Sequence, residues 1–585
     1  MRSHAALPIA SLFRGEQTRL TKKHYAKAPS SVATAESELQ NIAASSVRRH
    51  DLDALRGFAM LLGIVLHGAM SFVPGFERVW GVQDSQANGS FGVMLAAIHG
   101  WRMPLFFLVS GFFTAMLWKK RGLRALLLHR FKRIFLPLLL AMVTIIPLMW
   151  FVSGYVRSQA SAGADAAVQA DVEDEGDTPE AAPDKVTVDI WEAVTLGDKI
   201  AIERYLDRGG DVNAKNPSSG ATPLHVACFF GKIEAAELLL DADASLEATN
   251  NEGLTPQQLL NIDWATTEYI GNILQLKLEK ENVLSGRSQI AARIAEITGE
   301  NIDATPQDSE AAILNGLIGL LFYFPVFNHL WFLWFLCWFV MGFAMIAKIA
   351  EVLRIPSVPN SLIRSWCRYL WLIPLAGLPQ YLMARTPGAF GPDTSIGLFP
   401  LPAVFVYYAI FFGFGVLYFG SQDREVTIGR HCGWSIAFAL IVLFPIGLAM
   451  KQPELGGERL LFSLVQVSYA WFMSFGLIGL FHRLFSGDRR WVRYLSDSSY
   501  WLYLVHIPLV IYLQLLVRDW AMPSLLKFSF VCVLATAVLL LSYQLCVRNT
   551  WIGVLLNGRR YPGKPQESPT IDASQAVSLA KETGN

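Results

Sequence analysis

Long apolar runs separated by short polar loops dominate this chain. A helix needs about 20 mainly apolar residues to cross the ~30 Å of hydrocarbon in a bilayer. Runs of that length fall at roughly 55–73, 95–118, 134–153, 329–349, 366–384, 399–420, 433–450, 460–482, 498–516 and 525–546, and 311–327 (AAILNGLIGLLFYFPVF) is a marginal eleventh. The pattern predicts an all-α polytopic membrane protein, since in lipid each segment must satisfy its own backbone polar groups. Loop charge decides the marginal run, because short cytoplasmic loops collect Lys and Arg. Basic residues gather before the first run (Lys22, Lys23, Lys27, Arg48, Arg49), after the second (Lys119 to Arg133), around Arg354, Arg364 and Arg368, between Arg483 and Arg493, and at Arg548, Arg559 and Arg560. All of them share one side only if 311–327 does not cross. The expectation is about ten spans with both termini cytoplasmic, and 311–327 lying at or dipping into the outer face. Residues 1–50 form a polar, basic tail with no early apolar core, so the first run reads as a retained anchor.

The membrane core is thus split into 51–154, holding spans one to three, and 311–562, holding spans four to ten. Between them the pattern changes. Residues 155–186 are rich in Ala, Asp, Glu and Pro without an apolar period and predict a disordered acidic linker. Within 187–280, Thr222-Pro223 and Thr255-Pro256 stand 33 residues apart, and Thr222 to Ala227 (TPLHVA) matches the T-P-L-H-x-A start of an ankyrin repeat. DIWEAVTLGDKIAIERYLDRGGDVNAKN looks like a preceding repeat without that start. The resemblance to ankyrin repeats implies stacked helix pairs, and about two and a half repeats is the lower limit for a core of their own. His225 reads as part of the repeat turn. Residues 281–310 are expected to be a helical connector and 563–585 a disordered tail. Loop charge places the insert outside the cytoplasm; a protein partner for the repeats and a bare spacer are both open.

Composition agrees with the pattern. With 53% hydrophobic and 17% charged residues the chain is no ordinary soluble enzyme, and Lys+Arg 49 against Asp+Glu 48 gives no sign of a nucleic-acid partner. The six cysteines (Cys228, Cys337, Cys367, Cys432, Cys532, Cys546) form no C-x-x-C pair and no metal-ligand spacing, so they read as packing residues and no metal is expected.

Chemistry is concentrated in RGFAMLLGIVLH, residues 56–67. Eleven residues turn a helix by about 1100°, so Arg56 and His67 share a face ~16 Å apart along the axis. Asp53, three residues before Arg56, joins that face and can pair with it. An arginine near the boundary can simply snorkel, but a histidine near mid-membrane is costly and faces a cavity or a partner. Histidine is also suited to take and return a proton near neutral pH.

These residues carry a resemblance. HDLDALRGFAMLLGIVLH has the R-x10-H arrangement of the acyltransferase-3 family of membrane acyltransferases; RMPLFFLVSGFF (102–113) is similar to its P-L-F-F-x-x-S-G segment and SYWLYLVHIPLV (499–510) to its S-Y-x-x-Y-x-x-H-x-P segment. HLWFLWFLCWFV (329–340) and the ending VRNTWIGVLLNGRRYP are most similar to the subgroup that succinylates osmoregulated periplasmic glucans. The ankyrin insert departs from the family's usual pattern. The resemblance implies a bacterial inner-membrane enzyme that moves an acyl group, acetyl or succinyl, from acyl-CoA as co-substrate to a hydroxyl of a cell-envelope glycan at the outer face. No permanently bound cofactor is implied. In that reading His67 is the catalytic base, Arg56 supports the donor and Asp53 holds Arg56.

Acyl transfer to a hydroxyl also needs donors for the developing oxyanion. Arg102, Ser110, Tyr500 and Tyr503 are candidates among which the sequence does not choose. His506 lies on one helical face with Ser499 and Tyr503, just before an expected kink at Pro508, and His329 opens the fourth span. Arg102 and His99 flank Trp101 ahead of Pro104, where a broken helix would line a cavity. The basic loops at Arg130, Lys132 and Arg133, and at Arg489, Arg490 and Arg493, are candidates for coenzyme phosphates. Two alternatives stand beside O-acyl transfer. LDALRGFAM also resembles a related family that N-acetylates an amino sugar across a membrane, and a non-catalytic scaffold displaying the ankyrin repeats is the third reading. No internal repeat among the spans favours a transporter.

Overall fold

The structure, a computed structural model, describes residues 49–76, 80–173, 189–216, 219–250, 253–274, 276–299, 321–322, 324–383, 390–450 and 459–558. Most of the marginal run 311–327 and both chain tails lie outside the described residues. The membrane helices are α1 (His50–Ala69), α2 (Gly89–Arg130), α3 (Leu136–Glu173), α4 (Trp331–Leu353), α5 (Cys367–Met383), α6 (Pro402–Gly420), α7 (Cys432–Met450), α8 (Arg459–Phe485), α9 (Arg490–Val517) and α10 (Ser524–Ser542). No strand occurs among the described residues.

Eight helical stretches among the described residues are long and apolar enough to cross a membrane, against the ten read from the sequence. The difference has two causes. Gly89–Val156 counts as one stretch of 68 residues but contains two of the expected spans, because the helix breaks at Gly122, at φ 77 and ψ 171. Arg130 lies as far beyond Gly122 as Thr114 lies before it, and its Nη2 donates to Thr114 Oγ1 at 3.0 Å, so the chain has folded back there. The other run missing from the eight is the fifth, α5, whose 17 residues span about 26 Å, the short end of what crosses a bilayer.

Two further expectations are corrected. Part of the acidic linker, 155–173, continues α3, and the reason is its alanines, which favour helix without needing an apolar face. Nor does Pro104 break α2: the helix runs through it, as α9 runs through Pro508.

Glycine decides how closely the helices approach. At Gly111 of α2 a Cβ would fall inside the contact radius of the Phe412 carbonyl oxygen, and at Gly415 of α6 inside that of Leu108. The two backbones therefore touch, which is how helices gain packing energy in lipid, where no hydrophobic force drives them together. Around this contact Phe107, Tyr408, Trp331 and Phe339 pack as a buried aromatic core. Phe411 and Trp471 join α6 to α8, their centroids 3.9 Å apart. Outward faces stay apolar, with Val143, Phe151, Leu370 and Val533 each at least 70% exposed, as suits lipid contact. At the basic end, Asp51 of α1 accepts from Arg49 Nε and Nη2 at 2.9 and 2.7 Å and pairs with His482 of α8 at 3.0 Å.

The insert is built from three helix pairs: Ile190–Leu196 with Lys199–Asp207, Pro223–Phe230 with Ile233–Asp241, and Pro256–Leu259 with Trp264–Ile273. Thr222 and Thr255 begin the second and third pairs as capping boxes with His225 and Gln258. The helix Lys280–Thr298, read from the sequence as a connector, packs on the repeats and closes the stack. It does so through Arg287, fully buried, whose guanidinium donates to the Phe229 carbonyl, to Ile262 O at 2.5 Å and to Thr267 Oγ1 at 2.8 Å. His225 Nε2 donates to Leu254 O at 3.0 Å, which leaves Nδ1 to accept from Thr222 N at 3.1 Å.

Two outcomes follow from this packing. Gly415→Ala should destabilise the bundle at the upper end of the about 1–3 kcal/mol typical of overpacking, seen as a lower melting midpoint in detergent, whereas Gly413→Ala, with open space beside it, should not. In the insert, burial first and Lys215 second push the His225 pKa below the usual ~6.5, against the bond to Leu254. Below ~6.5 the unfolded repeat then binds a proton more readily than the folded one, so stability is full above that value and falls as pH drops through the folded pKa. Hydrogen-exchange protection of Pro223–Phe230, corrected for intrinsic rate, should fall on acidification in the wild type and fall less in His225→Gln.

Candidate active site

The site is made where α1 and α9 lie side by side and run in the same direction. Arg56 of α1 meets Ser496 of α9, donating to its Oγ at 2.8 Å, and His67, three turns on, meets His506, with Nδ1 to Nε2 at 2.8 Å. The first half of α2 runs the other way beside them: Arg56 lies over the Phe113 ring at 6.0 Å, and Gly63 lies against Arg102. The candidate residues therefore fall into two tiers about 16 Å apart along α1.

The histidine tier holds His67, His506, His329, Tyr503 and Arg102. His506 Nδ1 donates to the Tyr503 carbonyl at 2.8 Å, and its ring lies perpendicular to His329, 5.8 Å between centroids. Tyr503 donates its hydroxyl to His329 O at 2.6 Å, and His329 Nε2 donates to Leu504 O at 3.1 Å. That last bond explains why α9 continues through Pro508. Proline has no N–H for the carbonyl four residues back, which is Leu504, and His329 supplies the missing donor. His329 Nδ1 and Arg102 Nε are buried without a hydrogen-bond partner among the described residues. Gly63 makes room for Arg102: a Cβ there would lie 2.6 Å from Arg102 Nη1 and 3.8 Å from His506 Nε2.

Three residues that the sequence did not point to complete this tier. Trp80, in the segment after α1, stacks on His67 with centroids 5.6 Å apart and planes 8° apart. Gln514 accepts from Trp80 Nε1 at 2.6 Å and donates to the His67 and Gly68 carbonyls at 3.0 and 2.9 Å. Lys527 of α10, fully buried, pairs with Asp84 at 3.0 Å and donates to Arg518 O at 2.9 Å, fastening the Trp80 segment to the bundle. A legible signal existed for Gln514: an amide inside an apolar span, eight residues after His506 and on its helical face.

The arginine tier holds Arg56, Asp53, Ser499 and Tyr500. Asp53 lies 3.7 Å from Arg56, and Ser499 Oγ donates to the Ser496 carbonyl at 2.8 Å. Arg130 of the folded-back α2 lies within electrostatic reach of both Arg56 and Tyr500. Its Nε and the Tyr500 hydroxyl are buried without partners among the described residues. Two guanidiniums within electrostatic reach of one another attract an anion. Ser110 stands on α2 two turns beyond Arg102, and its carbonyl accepts from Thr114 at 2.8 Å; the structure does not bring it to the histidines. His99, also ahead of Pro104, donates from Nε2 to Pro392 O at 2.9 Å and is held by the loop before α6.

Comparison with known proteins supplies the chemistry that fits this geometry. The family model described as "Acyltransferase domain", of the acyltransferase-3 type, matches residues 49–179 and 290–544, and that described as "Ankyrin repeats (3 copies)" matches 190–260. Glucans biosynthesis protein C of Escherichia coli strain SMS-3-5 / SECEC is 29% identical over 113 residues, 19% of this chain and 29% of the relative. The same protein of strain K12 is 28% identical over the same length and shares. The chain thus matches less than a third of the length of these relatives. No solved structure matches.

Gly63→Ala tests the histidine tier directly. Its Cβ displaces the end of a flexible side chain rather than backbone, so the protein should fold normally while activity falls by about 10²-fold, the cost of moving a site group by roughly an ångström. Full activity at wild-type stability would show that the placement of Arg102 does not matter.

Proposed function

Because the chain belongs to the acyltransferase-3 family, and so is a membrane acyltransferase, we propose that it moves an acetyl or succinyl group from acyl-CoA to a hydroxyl of a cell-envelope glycan. The observation that carries the reading is the pairing of a buried histidine cluster with a separate arginine tier on the same two helices. Phosphates of the coenzyme belong at Arg56 and Arg130, with Asp53 holding Arg56, and the long pantetheine arm bridges the two tiers to bring the thioester to His67. His67 takes the proton of the glycan hydroxyl as its oxygen attacks the thioester carbon. The oxyanion of the tetrahedral intermediate faces the Arg102 guanidinium, and Tyr503 keeps His329 and His506 in place. As the C–S bond breaks, the imidazolium returns the proton to the departing thiolate, and an ester and free coenzyme A result.

In this reading the basic loops lie in the cytoplasm of a bacterial inner membrane, acyl-CoA enters from that side, and the glycan meets the histidine tier from the other. The glucan hydroxyl as acceptor is supported by the likeness to the named relatives, and the ankyrin insert is a docking module for a protein partner.

Mass spectrometry of envelope glycans tests the proposal, comparing cells that make wild-type protein, His67→Ala protein at equal level, or none. An acyl mass increment present only with wild type is the expected result, and its mass names the acyl group. Identical glycans in all three would remove the proposal's support.

A further inference from the structure

We propose that His506 is a positioning residue that sets the tautomer of His67, so that His67 presents Nε2 as its basic atom. The inference deepens the reading of His67 as the base and rests on it. The Tyr503 carbonyl oxygen has no choice of role, since it can only accept. His506 Nδ1 lies 2.8 Å from that oxygen and so carries the ring proton, which puts the lone pair of the neutral ring on Nε2. His506 Nε2 in turn lies 2.8 Å from His67 Nδ1. Two bare nitrogens do not bond, so His67 Nδ1 holds its proton and donates it. The lone pair of His67 is left on Nε2, at the opposite side of the ring.

This is the less common tautomer of a free histidine, and it is selected by a chain of two hydrogen bonds that ends on main chain. A carboxylate orients the catalytic histidine of a serine hydrolase in the same way, but adds a negative charge. Here a neutral imidazole does the orienting beside the Arg102 guanidinium, which packs against the same Gly63 surface. The surroundings remove other orientations: His506 is 2% exposed, Trp80 covers one face of His67, and Gln514 holds the His67 carbonyl. The proton count closes as well. His67 Nε2 takes the hydroxyl proton while Nδ1–H stays on His506, and Nε2–H then goes to the leaving thiolate, so the cycle ends in the starting tautomer with no rearrangement.

The decisive measurement is the 15N resonance pair of His67 in histidine-labelled wild-type protein, assigned by its loss in His67→Gln. A protonated Nδ1 and bare Nε2 are expected; the reverse overturns the inference. Kinetics gives the second reading. His506→Leu should lower kcat by about 10²-fold or more with the KM for acyl-CoA changed by no more than about twofold. His506→Gln, whose side-chain oxygen can accept from Nδ1–H, should retain at least about tenfold more of kcat than His506→Leu. Equal kcat in all three proteins, or an effect on KM alone, would overturn the positioning role. If His506→Leu does not fold, the resonances of the wild type decide alone. Wild-type protein that transfers no acyl group from acetyl-CoA or succinyl-CoA would instead remove the role of His67 as base.

Discussion

The parallel register of α1 on α9 is the constraint on which both tiers depend. A slip of one helical turn, about 5.4 Å, would part Arg56 from Ser496, His67 from His506 and Gln514 from the His67 carbonyl together. Gly57 lies at the crossing, where a Cβ would rest in ordinary contact 3.5 Å from Ser496 N. Because the bonds lie along one interface, each supports the same alignment, and polar groups in a low-dielectric bundle reward an alignment that satisfies all of them.

The rest of the bundle serves to bring a third element to this interface. The backbone contact of Gly111 and Gly415 fixes α2 against α6, and α2 then delivers Arg102 and Phe113 to the two tiers. The hairpin at Gly122 returns Arg130 to the level of Thr114, so one continuous run of sequence contributes to the arginine tier twice. Main chain in this fold is placed by small residues and turned by glycine, while the aromatic side chains fill what remains.

Much of this was legible in the sequence, for identifiable reasons. The eleven-residue spacing put Arg56 and His67 on one face, and both do face α9, because helical periodicity is local geometry. Asp53 pairs with Arg56 for the same reason. The places of the membrane helices followed from apolar length, although α2, α3 and α9 run on past their apolar runs, and the ankyrin turn followed from TPLHVA. What stayed hidden was tertiary. Nothing in the spacing of 56 and 67 says that their partners are Ser496 and His506, about 440 residues away. Trp80 sits in a short connection, and its stacking on His67 depends on a buried ion pair between Asp84 and Lys527 that local pattern does not encode. Pro104 was read as a break and Pro508 as a kink because local rules count the lost donor, whereas at Pro508 the fold replaces it with His329, which donates to Leu504 O.

The histidines show how the same device serves both structure and chemistry. In each of His225, His329 and His506 one ring nitrogen is tied to a main-chain carbonyl, which can only accept and so fixes where the proton sits. What separates them is the other nitrogen. In His225 the fold itself consumes it, since Thr222 N donates to Nδ1, and the ring is a strut between repeats. In His506 it is spent on His67 Nδ1, which leaves the remaining lone pair of the two rings on His67 Nε2. In His329 the second nitrogen is buried and bonded to nothing among the described residues, a cost that a purely structural histidine would not carry. A histidine in a membrane bundle is thus read for function by whether its last lone pair has been used up.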